Sequence, residues 1–210
     1  MYTDLIYDFD GTLFDTYPVF TEALLIFLER HGIVSDYETA YKRLKVTVGY
    51  ALRSYGFDGD SFKPANKEFK SIYWELAKTK QKPLPYVIEV LDYAVNCGKR
   101  NYIYTRSGKE VIELLDKWGM TDKFTYVIDA SMPFPTKPDP AALNWLCEEF
   151  GLDKSKCIMI GDRDLDTECG TNAGMKNVLF DVEGYYSDCP CDYKIDSFKE
   201  LEEIMDGKRG

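Results

Sequence analysis

Histidine is almost missing from this chain: His31 is the only one in 210 residues. It falls at the end of a helical pattern with no acid or cysteine cluster beside it, and reads as structural or exposed rather than as a base. No apolar run approaches the about 18–20 residues that a membrane span needs. The first strand pattern begins almost at Met1, which leaves no room for a signal peptide and points to the cytoplasm. Positive charge is in short supply. With 26 Lys and Arg against 36 Asp and Glu, the net charge is −10. That balance argues against nucleic acid and against anionic membrane surfaces as partners. It also means that any anionic ligand must find positive charge gathered locally. The C-x-x-C spacing of redox and zinc sites is absent from the six cysteines. Cys189 and Cys191, the one close pair, read as a loop with two reduced thiols, whereas Cys97, Cys147 and Cys157 lie in or beside apolar runs and read as small core residues. There are no internal repeats and no low-complexity tracts.

The composition that remains, 45% hydrophobic and 30% charged, is that of an ordinary globular protein. The stretch Leu5 to Thr16 organises the rest. Leu5 to Phe9 is apolar, rich in β-branched and aromatic residues, and reads as a buried strand that stops at Gly11. Two carboxylates interrupt it. Residues i and i+2 of a strand share a face, so Asp8 and Asp10 start on one side of its C-terminal end, where parallel α/β sheets keep their ligand sites. Two like charges that close are costly unless a cation or a proton offsets them. After Thr16 the pattern turns helical. Pro18 suits a first helical turn, Phe20, Ala23, Leu24, Phe27 and Leu28 recur at helical spacing, and Gly32 suits a C-cap. Residues 35–82 show no strand pattern. A short helix starts at Tyr37 after a Ser35-Asp36 cap, a longer one runs from Pro64 to Lys80, and together with the helix at Pro18 these predict a four-helix insertion. From Pro83 onward strand and helix patterns alternate, with strands at 101–105, 126–130, 157–161, 177–181 and 193–195. That alternation predicts a parallel, doubly wound α/β sheet, followed by a disordered tail at Gly207 to Gly210.

Three further constellations sit at strand ends. Thr105-Arg106-Ser107-Gly108 places hydroxyls and backbone N–H groups before a helix, a ready anion site or else an ordinary N-cap. Lys137 lies between Pro135 and Pro138-Asp139-Pro140, so a turn of prolines holds it at a defined place. Asp162, Asp164 and Asp166 follow the strand at 157–161. Together with Asp8 and Asp10 they crowd one edge of the sheet with oxygen ligands, and such density favours a divalent ion of the Mg²⁺ type.

These residues resemble the four motifs of the haloacid dehalogenase (HAD) superfamily. Asp8 to Thr16 matches D-x-D-G-T-L-x-D-[ST] without a break, Thr105 matches the Ser or Thr of the second motif, Lys137-Pro138-Asp139-Pro140 the K-P-x-P form of the third, and Gly161-Asp162 with Asp166 the G-D-x-x-x-D of the fourth. Relatives often carry Asn after the second-motif Thr, where this chain has Arg106. The resemblance implies a Rossmann-like α/β core formed by residues 1–16 and 83–210, with residues 17–82 as a small helical cap. It implies a phosphatase of the capped branch that holds phosphoglycolate phosphatases and β-phosphoglucomutase. Asp8 would be the nucleophile and Asp10 the general acid and base. Thr105 and Lys137 would bind the phosphoryl group, and Asp8, the Asp10 carbonyl, Asp162 and Asp166 would hold Mg²⁺. The substrate would be a small phosphorylated metabolite. A sugar phosphomutase shares all four motifs, and a non-catalytic binder of the same fold would have no use for Asp10. In the insertion, Lys42, Arg43, Lys45 and Arg53 make a basic stretch free of acids between Tyr41 and Gly56, expected either to meet the substrate or to be a solvated face.

Overall fold

The computed structural model of the chain describes residues 1–186 and 188–209. In chain order its elements are β1 (Asp4–Tyr7), α1 (Tyr17–Arg30), α2 (Tyr37–Val46), α3 (Val48–Ser54), α4 (Gly59–Lys80), α5 (Val87–Asn96), β2 (Arg100–Tyr104) and α6 (Val111–Lys117). There follow β3 (Tyr126–Ile128), α7 (Ala141–Phe150), β4 (Cys157–Gly161), α8 (Asp164–Ala173), β5 (Lys176–Phe180), β6 (Tyr193–Ile195) and α9 (Leu201–Met205). They fall into two compact units, one formed by Met1–Phe14 with Pro83–Gly210 and the other by Asp15–Lys82.

The strands of the first unit form one parallel sheet in the order β3-β2-β1-β4-β5-β6. The order reverses beside β1. The connections leaving β1 and β4 therefore diverge there and open a crevice at the carboxyl ends of the strands. β1 is buried throughout, with Leu5, Ile6 and Tyr7 fully inaccessible, as expected for a strand covered on both faces. Its side chains alternate. Ile6 joins a cluster with Met159, Leu143, Leu146 and Cys169 under α7 and α8, while Tyr7 stacks at 6.0 Å on Phe198, next to α9. Asp4 at the opposite end is buried too, and accepts from Arg100 Nε at 2.6 Å.

The helices pack closely on this sheet. α8 meets β4 and β5 through Gly170, where a Cβ would lie 2.9 Å from Met159 Cβ and 3.2 Å from Asn177 Cβ. The carboxyl ends of the strands are thereby fixed relative to the first turn of α8. The tail departs from expectation. Lys208 N–H donates to the Glu203 carbonyl at 2.9 Å, Arg209 pairs with Glu200, and Gly210 lies outside the described residues. Cys147 and Cys157 are buried, but Cys97 is exposed at the C-cap of α5. An apolar neighbourhood in sequence does not bury a residue that follows the last helical turn.

In the second unit α1 packs on α2 and α4, and α3 on α2 and α4. Phe20 lies 4.1 Å from the Tyr73 ring and 6.1 Å from that of Phe69. Asp36 caps α2 by accepting from Thr39 N–H at 2.8 Å. α4 begins at Gly59 and not at Pro64. Pro64 removes one N–H and leaves the Asp60 carbonyl without its helical donor, a loss the helix carries near its start. The basic stretch is largely occupied with its own unit. Arg43 lies over Tyr55 at 4.1 Å, Lys45 over Tyr17 at 3.9 Å, Arg53 over Phe62 at 4.3 Å, and Lys42 pairs with Glu38 at 3.1 Å. These cations sit on aromatic rings, which accounts for the stretch without a ligand.

The tight seat of α8 sets a stability expectation. Gly170→Ala should cost about 1–3 kcal/mol, the usual range for overpacking, seen in urea as a lower midpoint at unchanged slope. An unchanged midpoint would show that α8 can shift freely on the sheet.

Candidate active site

The site is assembled from the ends of β1, β2 and β4 and from the loop before α7. Asp8 leaves β1 with its N–H still bonded to the Ile160 carbonyl at 2.8 Å, which holds its side chain in register with β4. The chain then turns at once. Gly11 takes φ +80°, a conformation that glycine adopts without strain. Leu13 and Phe14 N–H both donate to the Phe9 carbonyl at 3.1 Å. This turn leaves Asp8 buried at 3% exposure and Asp10 half-buried.

Lys137 lies at the centre. Its side chain is fully buried, and its ammonium donates to Asp8 Oδ1 at 2.6 Å and to Asp166 Oδ1 at 2.7 Å. It also lies 4.7 Å from the centre of the Tyr104 ring. Its third N–H has no acceptor among the described residues. Burial alone would strip its proton, but the carboxylates of Asp166 and Asp8 overcome this and hold it firmly protonated. Asp166 is fully committed: its other oxygen accepts from Arg163 N–H at 3.2 Å, closing a capping box at the start of α8. Gly161 makes room for it, because any side chain at 161 would overlap that of Asp166.

One carboxylate oxygen from each of Asp8, Asp162 and Asp166 lies within 4.8 Å of the others. Asp8 Oδ2 is buried and has no hydrogen-bond partner among the described residues. Burial pushes the Asp8 carboxyl up to about 7, Lys137 counters this, and Asp166 and Asp162 add to it. A buried acceptor left bare beside two other acids is costly, and a cation would relieve it. The donors are all carboxylate oxygens, a set that suits a hard divalent ion of the Mg²⁺ kind.

Thr105 and Ser107 complete the site. Thr105 is 2% exposed, and its Oγ1 accepts from Ser107 N–H at 3.0 Å, so its own hydroxyl hydrogen is left to donate. Ser107 Oγ donates to Asp10 Oδ2 at 2.6 Å. Sequence reading assigned no role to Ser107; the sign available was a second small hydroxyl two residues past the strand end. Of the residues singled out from sequence, Asp8, Lys137, Asp162 and Asp166 are brought into one cluster, and Asp10 and Thr105 are linked through Ser107. Asp164 donates no carboxylate to the cluster.

Comparison with known proteins settles the family. The model of the haloacid dehalogenase-like hydrolase family matches residues 5–180. The chain belongs to that family. This HAD-like hydrolase is 26% identical over 216 residues to the N-acetylmuramic acid 6-phosphate phosphatase of Pseudomonas aeruginosa, covering 96% of this chain and 94% of the relative. It is 27% identical over 183 residues to a phosphoglycolate phosphatase of Caulobacter vibrioides, covering 83% and 77% of the two chains. Its fold is shared with the HAD-hydrolase YfnB of Bacillus subtilis, solved bound to magnesium, at a TM-score of 0.78 and 16% identity over 98% of this chain and 99% of that one. The match to the family model runs through all four strand-end loops of the HAD-like site.

The Asp8 environment has a consequence for metal binding. Below about pH 7 the metal-free carboxyl holds a proton that a cation must displace, so divalent-ion affinity should fall as pH drops through 7. Titration calorimetry of Mg²⁺ at pH 6.5 in two buffers of different ionisation enthalpy should show proton release. Equal heats in both buffers would mean that Asp8 is already ionised.

Proposed function

We propose that this HAD-like hydrolase is a Mg²⁺-dependent phosphatase that cleaves a small phosphorylated metabolite through an aspartyl-phosphate on Asp8. The observation that carries the reading is the bare, buried Asp8 Oδ2 beside a lysine that neutralises the other oxygen. Lys137 fixes the carboxylate in one orientation by holding Oδ1, and the Asp8 carboxylate is the attacking group. Asp10 donates a proton to the leaving oxygen and then takes one from the water that hydrolyses the intermediate. Ser107 orients it by donating to Oδ2, which leaves Oδ1 as the atom that carries the proton. The Thr105 hydroxyl and the third N–H of Lys137 stabilise the equatorial oxygens of the transferring phosphoryl group.

Asp8, Asp162 and the Asp10 carbonyl would hold Mg²⁺. Asp166 supports them chiefly through Lys137, because both of its oxygens already accept protein hydrogen bonds. When bound, the ion supplies charge neutralisation between nucleophile and phosphate. Residues 17–82 act in this reading as the cap that selects the metabolite, and the core as 1–16 with 83–210. The six thiols, none of them in a disulfide, suit a reducing cytoplasm. Its relatives act, by name, on N-acetylmuramic acid 6-phosphate and phosphoglycolate, and a compound of that size is the expected substrate class.

Two experiments test this. Asp8→Asn should lower phosphate release from p-nitrophenyl phosphate by at least about a thousandfold, in the range seen when a nucleophile is removed, with the circular dichroism spectrum unchanged. Asp162→Ala should instead be rescued in part by millimolar Mg²⁺. A near wild-type rate for Asp8→Asn would remove Asp8 from the nucleophile's role. Separately, β-glucose 1-phosphate with its bisphosphate activator should give free phosphate. Rapid formation of glucose 6-phosphate with little phosphate would make the protein a mutase.

A further inference from the structure

A pair of guanidinium groups flanks the site and the proposed chemistry uses neither. Tyr7 pairs with Ile103 of β2 and with Ile160 of β4. Arg106 lies two residues past the end of β2, beside Ser107, whose Oγ donates to Asp10 Oδ2 at 2.6 Å, and Arg163 lies two residues past the end of β4, next to Asp162. Arg163 is mostly buried, with its Nε 3.9 Å from Asp162 Oδ1. Arg106 is exposed and makes no hydrogen bond or ion pair among the described residues. Desolvation of its guanidinium opposes its cation most, Arg163 adds to this, and Asp8 and Asp166 offset it only in part. A protein of net charge −10 thus keeps an uncompensated cation next to a second cation at the mouth of an acidic site. A guanidinium so placed is open to an anion and matches a planar one with two parallel hydrogen bonds.

We propose that Arg106, backed by Arg163, binds a second anionic group of the substrate. The substrate class is then a phosphomonoester bearing a carboxylate, or a second phosphate, a few bonds from the scissile phosphate. The inference rests on the phosphatase reading above and narrows it. Arg106 is a specificity residue here, because the phosphoryl oxygens themselves fall to Thr105 and Lys137.

The test is a binding measurement that needs no turnover. Titration calorimetry with Mg²⁺ present compares phosphonoacetate, ethylene-1,2-diphosphonate and methylphosphonate, which share a phosphonate and differ in the second anion. The wild-type protein should bind one of the two ligands with a second anionic group at least about tenfold more tightly than methylphosphonate, or ~1.4 kcal/mol; which one is favoured tells carboxylate from phosphate. In Arg106→Gln that preference should fall to within about threefold, and Arg106→Lys should retain part of it, as expected for a charge contact. A wild-type protein with no preference, or a preference unchanged in Arg106→Gln, overturns the proposal; the latter includes equal loss of affinity for all three ligands. Release of phosphate from p-nitrophenyl phosphate by the same preparation tests the phosphatase reading separately, so the two failures are distinguishable.

Discussion

Three carboxylates buried at the end of one sheet cannot all remain ionised unaided. Each brings a desolvation penalty of several kcal/mol, and each raises the cost of the next. Lys137 meets part of that cost by bridging Asp8 and Asp166, at 2.6 and 2.7 Å, from a fully buried position. It cannot meet all of it, because Asp8 Oδ2 is still bare. In the proposed function the same residual demand is what suits the cluster to a hard cation and to the phosphate that such a cation accompanies.

The fold exists to sustain that arrangement. β1 is central in the sheet and the strand order reverses beside it, so residues from β1, β2 and β4 emerge next to each other without long loops. Gly11 ends β1 abruptly, Gly161 leaves room for Asp166, and Gly170 seats α8 close to β4 and β5. Of these, Gly161 directly makes room for a charged group of the cluster, the Asp166 carboxylate. The helical insertion begins at Asp15, shortly after Gly11, and ends at Lys82, and Arg43, Lys45 and Arg53 lie over its own aromatic rings.

Much of this was legible in the sequence because its signals are local. Strand periods, the unbroken run from Asp8 to Thr16, the prolines around Lys137 and the acids after Gly161 each announce a strand end with chemistry on it. What was not legible depends on pairing across the fold. Nothing in the order Thr105-Arg106-Ser107 says that Ser107 reaches Asp10, since that bond spans 97 residues. Nor does the spacing of Asp162 and Asp166 reveal that Asp166 is engaged by Lys137 and by its own helix. The start of α4 was misplaced because proline's aversion to helix interiors is weaker near a helix start than the packing that extends it. Cys97 was assigned to the core because an apolar run does not show on which side its last residue lies.

The central claim is that the Asp8 carboxylate takes the phosphoryl group. The direct measurement is mass-spectrometric mapping of protein acid-quenched within its first turnover of a phosphomonoester in the presence of Mg²⁺. The account predicts a phosphoryl group on the peptide that contains Asp8 and Asp10, fragmenting to Asp8, and absent when hydroxylamine precedes digestion. A phosphoryl group on any other residue, or free phosphate formed at full rate with no labelled peptide at any quench time, would contradict it.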